Sequence, residues 1–199
     1  NRNLYSFNCT EKLEGIGKIM RYFNASDVQT FNKTVILENY TIEKKASYQS
    51  FDVFLSHSSK DKEVLPSVIN FLSQYGVNVY IDKTDKELPR NTSPETGDIL
   101  KKRIQESKKF IVLVSPNSKD SKWIPWELGI ADEKKKIRNV ALFPNVQNAS
   151  MPSWPEQEYL GLYPRIVLEN FKGQSTPVWM VLDHHASTGT ELSEWLKRY

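Results

Sequence analysis

From residue 51 onward, short apolar runs alternate with amphipathic ones. Phe51-Asp-Val-Phe-Leu-Ser56 is the first run, too short for a helix, and it predicts a buried strand. Ser58-Ser-Lys-Asp-Lys-Glu63 follows with hydroxyls and then charge, a helix-start signal. Val64, Leu65, Val68, Phe71, Leu72 and Tyr75 recur at helical spacing, and Gly76 supplies the stop. Val77 to Asp82 predicts a second strand, and Lys83 to Thr96 a long polar loop. Gly97 and Asp98 open a helix carrying Ile99, Leu100 and Ile104. Phe110 to Ser115 is the third and most apolar strand. Ser121-Lys-Trp-Ile-Pro-Trp-Glu-Leu-Gly129 begins a helix that runs to about Lys136. Asn139 to Phe143 predicts a fourth strand, and Arg165 to Leu168 a fifth, joined by a connection rich in proline and tryptophan. The chain ends in a helix over about 188–198, with Thr188 and Glu191 as a capping box and Leu192, Trp195 and Leu196 turned inward.

Strands apolar on both faces, alternating with helices, predict an α/β fold: a five-stranded parallel sheet covered on both sides. Ligands bind such sheets beyond the carboxyl ends of the strands. Three loops should meet there, Ser56–Ser59, Lys83–Thr96 and Ser115–Trp123. Residues 1–49 are less regular. Leu13, Ile16, Met20 and Phe23 have helical spacing, and Thr34 to Ile42 is strand-like. That is too little for an independent core, so 1–49 is expected to pack as an extension on a domain spanning 50–199.

Composition removes several classes of function. A net charge of +3, from 27 basic against 24 acidic residues, is too small to argue for nucleic acid or a membrane surface. No apolar run approaches the ~18 residues of a transmembrane helix. Cys9 is the single cysteine, so no internal disulfide forms, and a reducing, cytoplasmic compartment fits. Six Asn-x-Ser/Thr triplets, at Asn8, Asn24, Asn32, Asn39, Asn91 and Asn148, read as chance in a chain rich in Asn and Ser. Asp183-His184-His185 lacks a third ligand at metal spacing, so no metal site is expected. There is no Gly-x-Ser-x-Gly elbow to make His57 part of a serine hydrolase, and no Gly-x-Gly-x-x-Gly for redox use of a dinucleotide. Trp154, Trp179 and Trp195 read as core or anchoring residues, Trp126 as packing on the sheet, and Glu133 to Lys136 as a solvated helix end.

Five stretches, in order, resemble the motifs of TIR domains, the Toll/interleukin-1 receptor homology family. Phe51-Asp-Val-Phe-Leu-Ser-His-Ser-Ser-Lys-Asp61 is similar to the first-strand motif, and Tyr80-Ile-Asp82 to the end of the second strand. Gly97-Asp-Ile-Leu100 is similar to the motif after the loop that follows that strand, and Phe110 to Ser115 to the third strand. Ser121-Lys-Trp-x-x-x-Glu-Leu128 is similar to the signature of the third helix. The match covers about residues 51–170, and its Ser-His-Ser run is of prokaryotic type. The resemblance implies a flavodoxin-like three-layer fold. It also implies one of two functions.

The first is cleavage of NAD+ at the nicotinamide–ribose bond, giving ADP-ribose, a cyclic isomer or a conjugate. In bacteria this serves antiphage defence or signalling to a downstream effector that senses the product. NAD+ is then a substrate, and no cofactor is implied. The second is a non-catalytic scaffold that assembles by homotypic contacts; TIR–TIR self-association is expected in either case. By the same resemblance Glu127 is the catalytic carboxylate. The chemistry agrees with a single carboxylate. Nicotinamide leaves a pyridinium as a neutral ring and needs no general acid, while the oxocarbenium-like ribose is helped by a negative charge in a dry pocket. Trp123, one turn before Glu127, shares its face and suits stacking on nicotinamide. Ser56, His57 and Ser58 at the first strand's end, and Asp82 at the second's, are expected to line the pocket. Glu95 is expected to reach a ribose hydroxyl and Ile99 to form a wall, on a likeness of Glu95-Thr-Gly-Asp-Ile99 to the animal axon-degeneration NADase.

Overall fold

Five parallel strands meet where short apolar runs bury residues on both of their faces. In a computed structural model, residues 5–6, 20–31, 51–146, 158–171 and 174–198 are described. The parallel strands are β3 (Val53–Ser56), β4 (Val79–Tyr80), β5 (Lys109–Val114), β6 (Val140–Val146) and β7 (Arg165–Glu169). Their order across the sheet is β4-β3-β5-β6-β7. β8 (Val178–Asp183), β9 (Thr188–Glu191) and β1 (Tyr5–Ser6) continue the sheet antiparallel beyond β7.

Side-chain alternation divides the core into two layers. Val53, Leu55, Ile111, Leu113, Ala141 and Phe143 point to one face, under α2 (Leu65–Ser73) and α5 (Leu192–Lys197). Phe54, Phe110, Val112, Val114, Val140 and Leu142 point to the other, under α3 (Pro94–Glu106) and α4 (Trp123–Lys135). Among the described residues no helix is long and apolar enough to cross a membrane.

Several expected boundaries move. The helix over 188–198 starts later: Thr188–Glu191 is β9, and only Leu192–Lys197 is helical, with Leu192, Trp195 and Leu196 buried. β8, an apolar run with no place in the predicted order, is the partner that recruits β9. Helix α2 begins at Leu65, because Ser58 to Glu63 is used for turns. Helix α3 begins at Pro94, three residues before Gly97. Ser93 caps it, accepting from the Thr96 amide while Thr96 Oγ1 accepts from the Ser93 amide. Lys135 is not solvated. Its amine is buried and donates to the carbonyls of Ser107 and Gln105, bracing the turn before β5.

Met20 and Phe23 are not helical. Phe23 lies in β2 (Phe23–Asn24), which pairs in parallel with Asn145 and Val146 at the end of β6. Arg21 exchanges backbone hydrogen bonds with Leu168 of β7, at 3.0 and 2.9 Å. β6 and β7 share one registered pair, Leu142 with Arg165, so this segment fills the gap where their carboxyl ends part. Phe23 is fully buried, its ring 5.1 Å from Phe143, 5.5 Å from Phe71 and 6.2 Å from Trp179. Trp179 therefore packs against the core, as expected of it, and Trp195 is buried. Helix α1 (Ala25–Phe31) follows, with Asn24 Oδ1 accepting from the Ser26 amide. Asn24 is buried and so is no glycan acceptor. The helical spacing before Met20, the strand at Thr34 to Ile42, Cys9 and Trp154 lie outside the described residues.

Phe23 behaves as core, not as an appendage. Phe23→Ala should lower unfolding free energy by about 3–5 kcal/mol, the usual loss for a buried phenylalanine. Urea denaturation measures this; a loss under about 1 kcal/mol would mean that 20–31 rests on a finished core.

Candidate functional site

The chain reverses its order across the sheet at β3, which has β4 on one side and β5 on the other. Loops leaving the carboxyl ends of these strands part there and leave a crevice. A cleft of about 300 Å³ occupies that position. Its walls come from Phe54 to Lys60, at the end of β3 and in the loop after it, Asp82 and Lys83 after β4, and Asp120 to Trp123 with Glu127 at the start of α4.

Local chemistry fixes how α4 enters. Ser121 Oγ accepts from the Ile124 amide at 3.3 Å, capping the first turn. Pro125 is the third helical residue, where an N–H has no partner within any helix, so its missing donor costs nothing. Ile124, Leu128 and Ala131 are buried against the sheet. Glu127 comes with them and is 4% exposed.

The Ser56 hydroxyl, at the end of β3, donates to Glu127 Oε2 at 2.5 Å. Burial pushes the Glu127 carboxyl up to about 8; the Ser56 hydrogen bond pulls it back down, and the negative charge of Asp82 adds to the rise. The carboxyl therefore holds its proton to higher pH than an exposed glutamate does. Trp123, one turn earlier, stands at the mouth, 37% exposed. Its ring meets Trp126 edge to face at 5.3 Å. Trp126 does not pack on the sheet as expected. It is 36% exposed and lies against α3, over Gly97 and with the Lys101 amine 6.0 Å from its ring. A side chain at Gly97 would stand 3.7 Å from that ring, so the helices touch here.

His57 is buried and turned inward. Its Nδ1 lies 3.2 Å from the Leu55 carbonyl, which can only accept, so Nδ1 carries the proton and Nε2 a lone pair. Burial lowers the His57 pKa; Asp82 opposes this. Nε2 is 3.7 Å from Asp82 Oδ1, beyond hydrogen-bonding distance. Asp82 Oδ1 also accepts from the Lys83 amide at 2.7 Å.

Ser56, His57, Ser58, Asp82, Trp123 and Glu127, all expected at the pocket, line the cleft together. Glu95 and Ile99 do not. Glu95 is exposed on the first turn of α3, and Ile99 is half-buried farther along it. The reason lies in the loop before them. Asp85 is buried and accepts from Tyr80 Oη at 3.0 Å and Arg103 Nε at 2.9 Å, which ties the loop down against α3.

Three residues escaped sequence reasoning. Asp61 is buried and accepts from Ser115 Oγ at 2.8 Å, Asn117 Nδ2 at 2.7 Å and the Ser58 amide at 3.3 Å. It clamps the loops after β3 and β5 into one wall. Its signal was a carboxylate five residues beyond a strand end in a run of hydroxyls. Lys60 and Lys83 stand at the rim, Lys60 paired with Asp120 at 3.0 Å and Lys83 donating to the Ser59 carbonyl at 3.1 Å. Lys122 stands with them, among the carboxylates of Asp82 and Asp120.

Comparison with known proteins adds a family. Residues 53–174 match the TIR domain family. The "Probable 3' cyclic ADP-D-ribose synthase ThsB'" of Bacillus cereus (strain MSX-D12) is 41% identical over 118 residues, covering 58% of this chain and 60% of that protein. The "Probable 2' cyclic ADP-D-ribose synthase TcpO" of Methanobrevibacter olleyae is 30% identical over 123 residues, 59% of this chain and 34% of that one. The chain thus spans less than two thirds of the length of either relative. Among solved structures, the TIR domain of the Toll-related receptor TRR-2 from Hydra magnipapillata aligns with a TM-score of 0.39 at 17% identity, over 53% of this chain and 77% of that one. The match over more than half its length makes this chain a member of the TIR domain family.

Proposed function

We propose that the chain cleaves NAD+ at the nicotinamide–ribose bond and passes the ribosyl group to a hydroxyl, giving a cyclic ADP-ribose or ADP-ribose. The observation that carries this is Glu127, a carboxyl buried at the base of a cleft with a half-exposed tryptophan at its mouth. The names of the two relatives, both cyclic ADP-D-ribose synthases, support it.

The roles follow from charge. The nicotinamide ring of NAD+ is a cation. Brought beside Glu127, it favours the carboxylate, so binding expels a proton from a group that burial holds near 8. As the C–N bond breaks, the ring takes the bonding electrons and leaves neutral, and the positive charge passes to the ribose. The carboxylate, already formed and shielded from water, stabilises that charge. The Ser56 hydroxyl keeps Glu127 in place. Trp123 offers a ring face to the nicotinamide. A cleft of 300 Å³ is at the small end for ligand sites, enough for the reacting half. The diphosphate then meets the lysines of the rim, and the adenosine extends past them. A second copy of the chain near the exposed Trp123–Trp126 pair suits the self-association expected of the family.

One observation favours a scaffold reading instead. The bond from Ser56 to Glu127 joins β3 to α4, a structural task that needs no substrate. The two readings part on one variant. Glu127→Gln keeps the shape and the bond to Ser56 and should lower nicotinamide release from NAD+ by at least about a hundredfold, the scale of a lost electrostatic contribution. Wild-type rates in that variant would leave only the scaffold.

The pH behaviour supplies a separate check. For wild type, kcat/KM should rise with pH and level off above about 8, where free Glu127 is ionised. Folding stability should move oppositely. The folded carboxyl holds its proton up to about 8, the unfolded one only to about 4.5, so this contribution is full below 4.5 and lost by 8. Between pH 5 and 9, wild type should therefore lose a few kcal/mol relative to Glu127→Gln, read from chemical denaturation at each pH. Parallel curves would show that the carboxyl is not buried as described.

A further inference from the structure

Two proton acceptors face each other beside the cleft with no hydrogen between them. His57 Nε2 has its lone pair outward, because Nδ1 is committed to the Leu55 carbonyl. It is sealed from solvent, and no hydrogen-bond partner among the described residues reaches it. Asp82 Oδ1 stands 3.7 Å away, its side chain 42% exposed against 2% for that of His57. A buried polar atom without a partner calls for an explanation. Asp82 is the surface of the pair, and His57 is the hidden half.

A proton placed on Nε2 resolves the arrangement. Once the exposed Asp82 side chain closes the 3.7 Å gap, the imidazolium donates to it, and two repelling lone pairs become a charge-assisted hydrogen bond. Burial keeps His57 neutral beforehand, and of the charges around it Asp82 and Asp61 favour the imidazolium while Lys83 opposes it. The geometry, two acceptors with no hydrogen between them, thus leaves a place for one proton.

The reaction proposed above needs such a receiver, and this inference rests on that reading. Departure of nicotinamide needs no proton transfer. Capture of the ribosyl centre does. When a ribose hydroxyl or water attacks C1, an O–C1 bond forms, and the O–H proton must go elsewhere. We propose that the Asp82–His57 pair takes it: the Asp82 carboxylate meets the attacking hydroxyl in the cleft and relays its proton to His57 Nε2. The bond electrons of O–H remain on oxygen, the product is neutral at the new linkage, and after product departs the proton returns from His57 through the exposed Asp82 to solvent. Asp82 is then a catalytic residue of the second half-reaction, and His57 its proton sink. Glu127 serves the first.

Pyridine nucleophiles separate the two halves. A pyridine nitrogen attacks C1 with a lone pair and has no proton to lose, so exchange of nicotinamide for 3-acetylpyridine bypasses the pair. The purified chain is given NAD+ with and without 3-acetylpyridine. Two rates are read by chromatography: formation of exchanged dinucleotide, and formation of cyclised plus hydrolysed product. Asp82→Asn and His57→Gln should each raise the ratio of exchange to hydroxyl capture at least about tenfold over wild type, below the usual gain from general acid–base catalysis. Using two variants guards against one that misfolds, and a fold defect lowers both rates together without moving the ratio. An unchanged ratio in both variants overturns the proposal. Wild-type protein that performs neither reaction overturns the NAD-cleaving reading itself, and this inference falls with it.

Discussion

A carboxyl group taken out of water is costly unless something holds it, and here the Ser56 hydroxyl holds Glu127 at 2.5 Å. That one contact crosses from the last residue of β3 to the second turn of α4. It depends on Ile124 and Leu128 anchoring α4 to the sheet, and on β3 and β5 running side by side. Asp61 then fixes the loops that leave those two strands. Without this framework, Glu127 would reach water and become an ordinary surface acid. With it, the carboxyl is buried and its pKa is raised, so a positive charge brought beside it would favour the carboxylate.

The two faces of the sheet are used for different things. Under α2 and α5, the layer holds a cluster of Phe23, Phe71, Phe143 and Trp179, and the buried amine of Lys109, at the start of β5, lies 4.7 Å from the ring of Trp195. Under α3 and α4, the packing is apolar in the middle and polar toward the carboxyl ends of the strands, where Ser56, Glu127, Asp61 and Ser115 gather. The segment at 21–24 supports the first layer by closing the space between β6 and β7. A polar cleft beyond the carboxyl ends of the strands is the placement expected of an open parallel sheet.

Much of the fold was legible because parallel strands are strongly written. Val53 to Leu55 and Phe110 to Val114 are apolar at every pleat, and only a sheet covered on both sides accommodates that. Boundaries were less legible where polar residues do local work. Ser58 to Glu63 looks like a helix start, yet Asp61 is taken by Ser115 and Asn117, residues more than 50 positions away. Thr188 and Glu191 look like a capping box, but β8 offers them an unpaired edge, and a strand ladder wins over a single cap. Phe23 looked like part of a helical stripe, since a lone aromatic cannot announce that it fills a gap between distant strands.

At the site, the residue types and their spacing alone placed Trp123 and Glu127 on one face of a helix, and placed Ser56, His57 and Asp82 at strand ends. Local geometry suffices for that, since helical and strand periods are set by the backbone. What only tertiary structure decided was the state of those groups. The raised Glu127 carboxyl, the His57 tautomer and the open space between His57 and Asp82 come from desolvation and from partners far along the chain. So does the position of Glu95 and Ile99, which lie outside the lining of the cleft on a helix held to the preceding loop by Asp85 and Arg103. Electrostatic energy depends on distances in space, and sequence separation does not encode them.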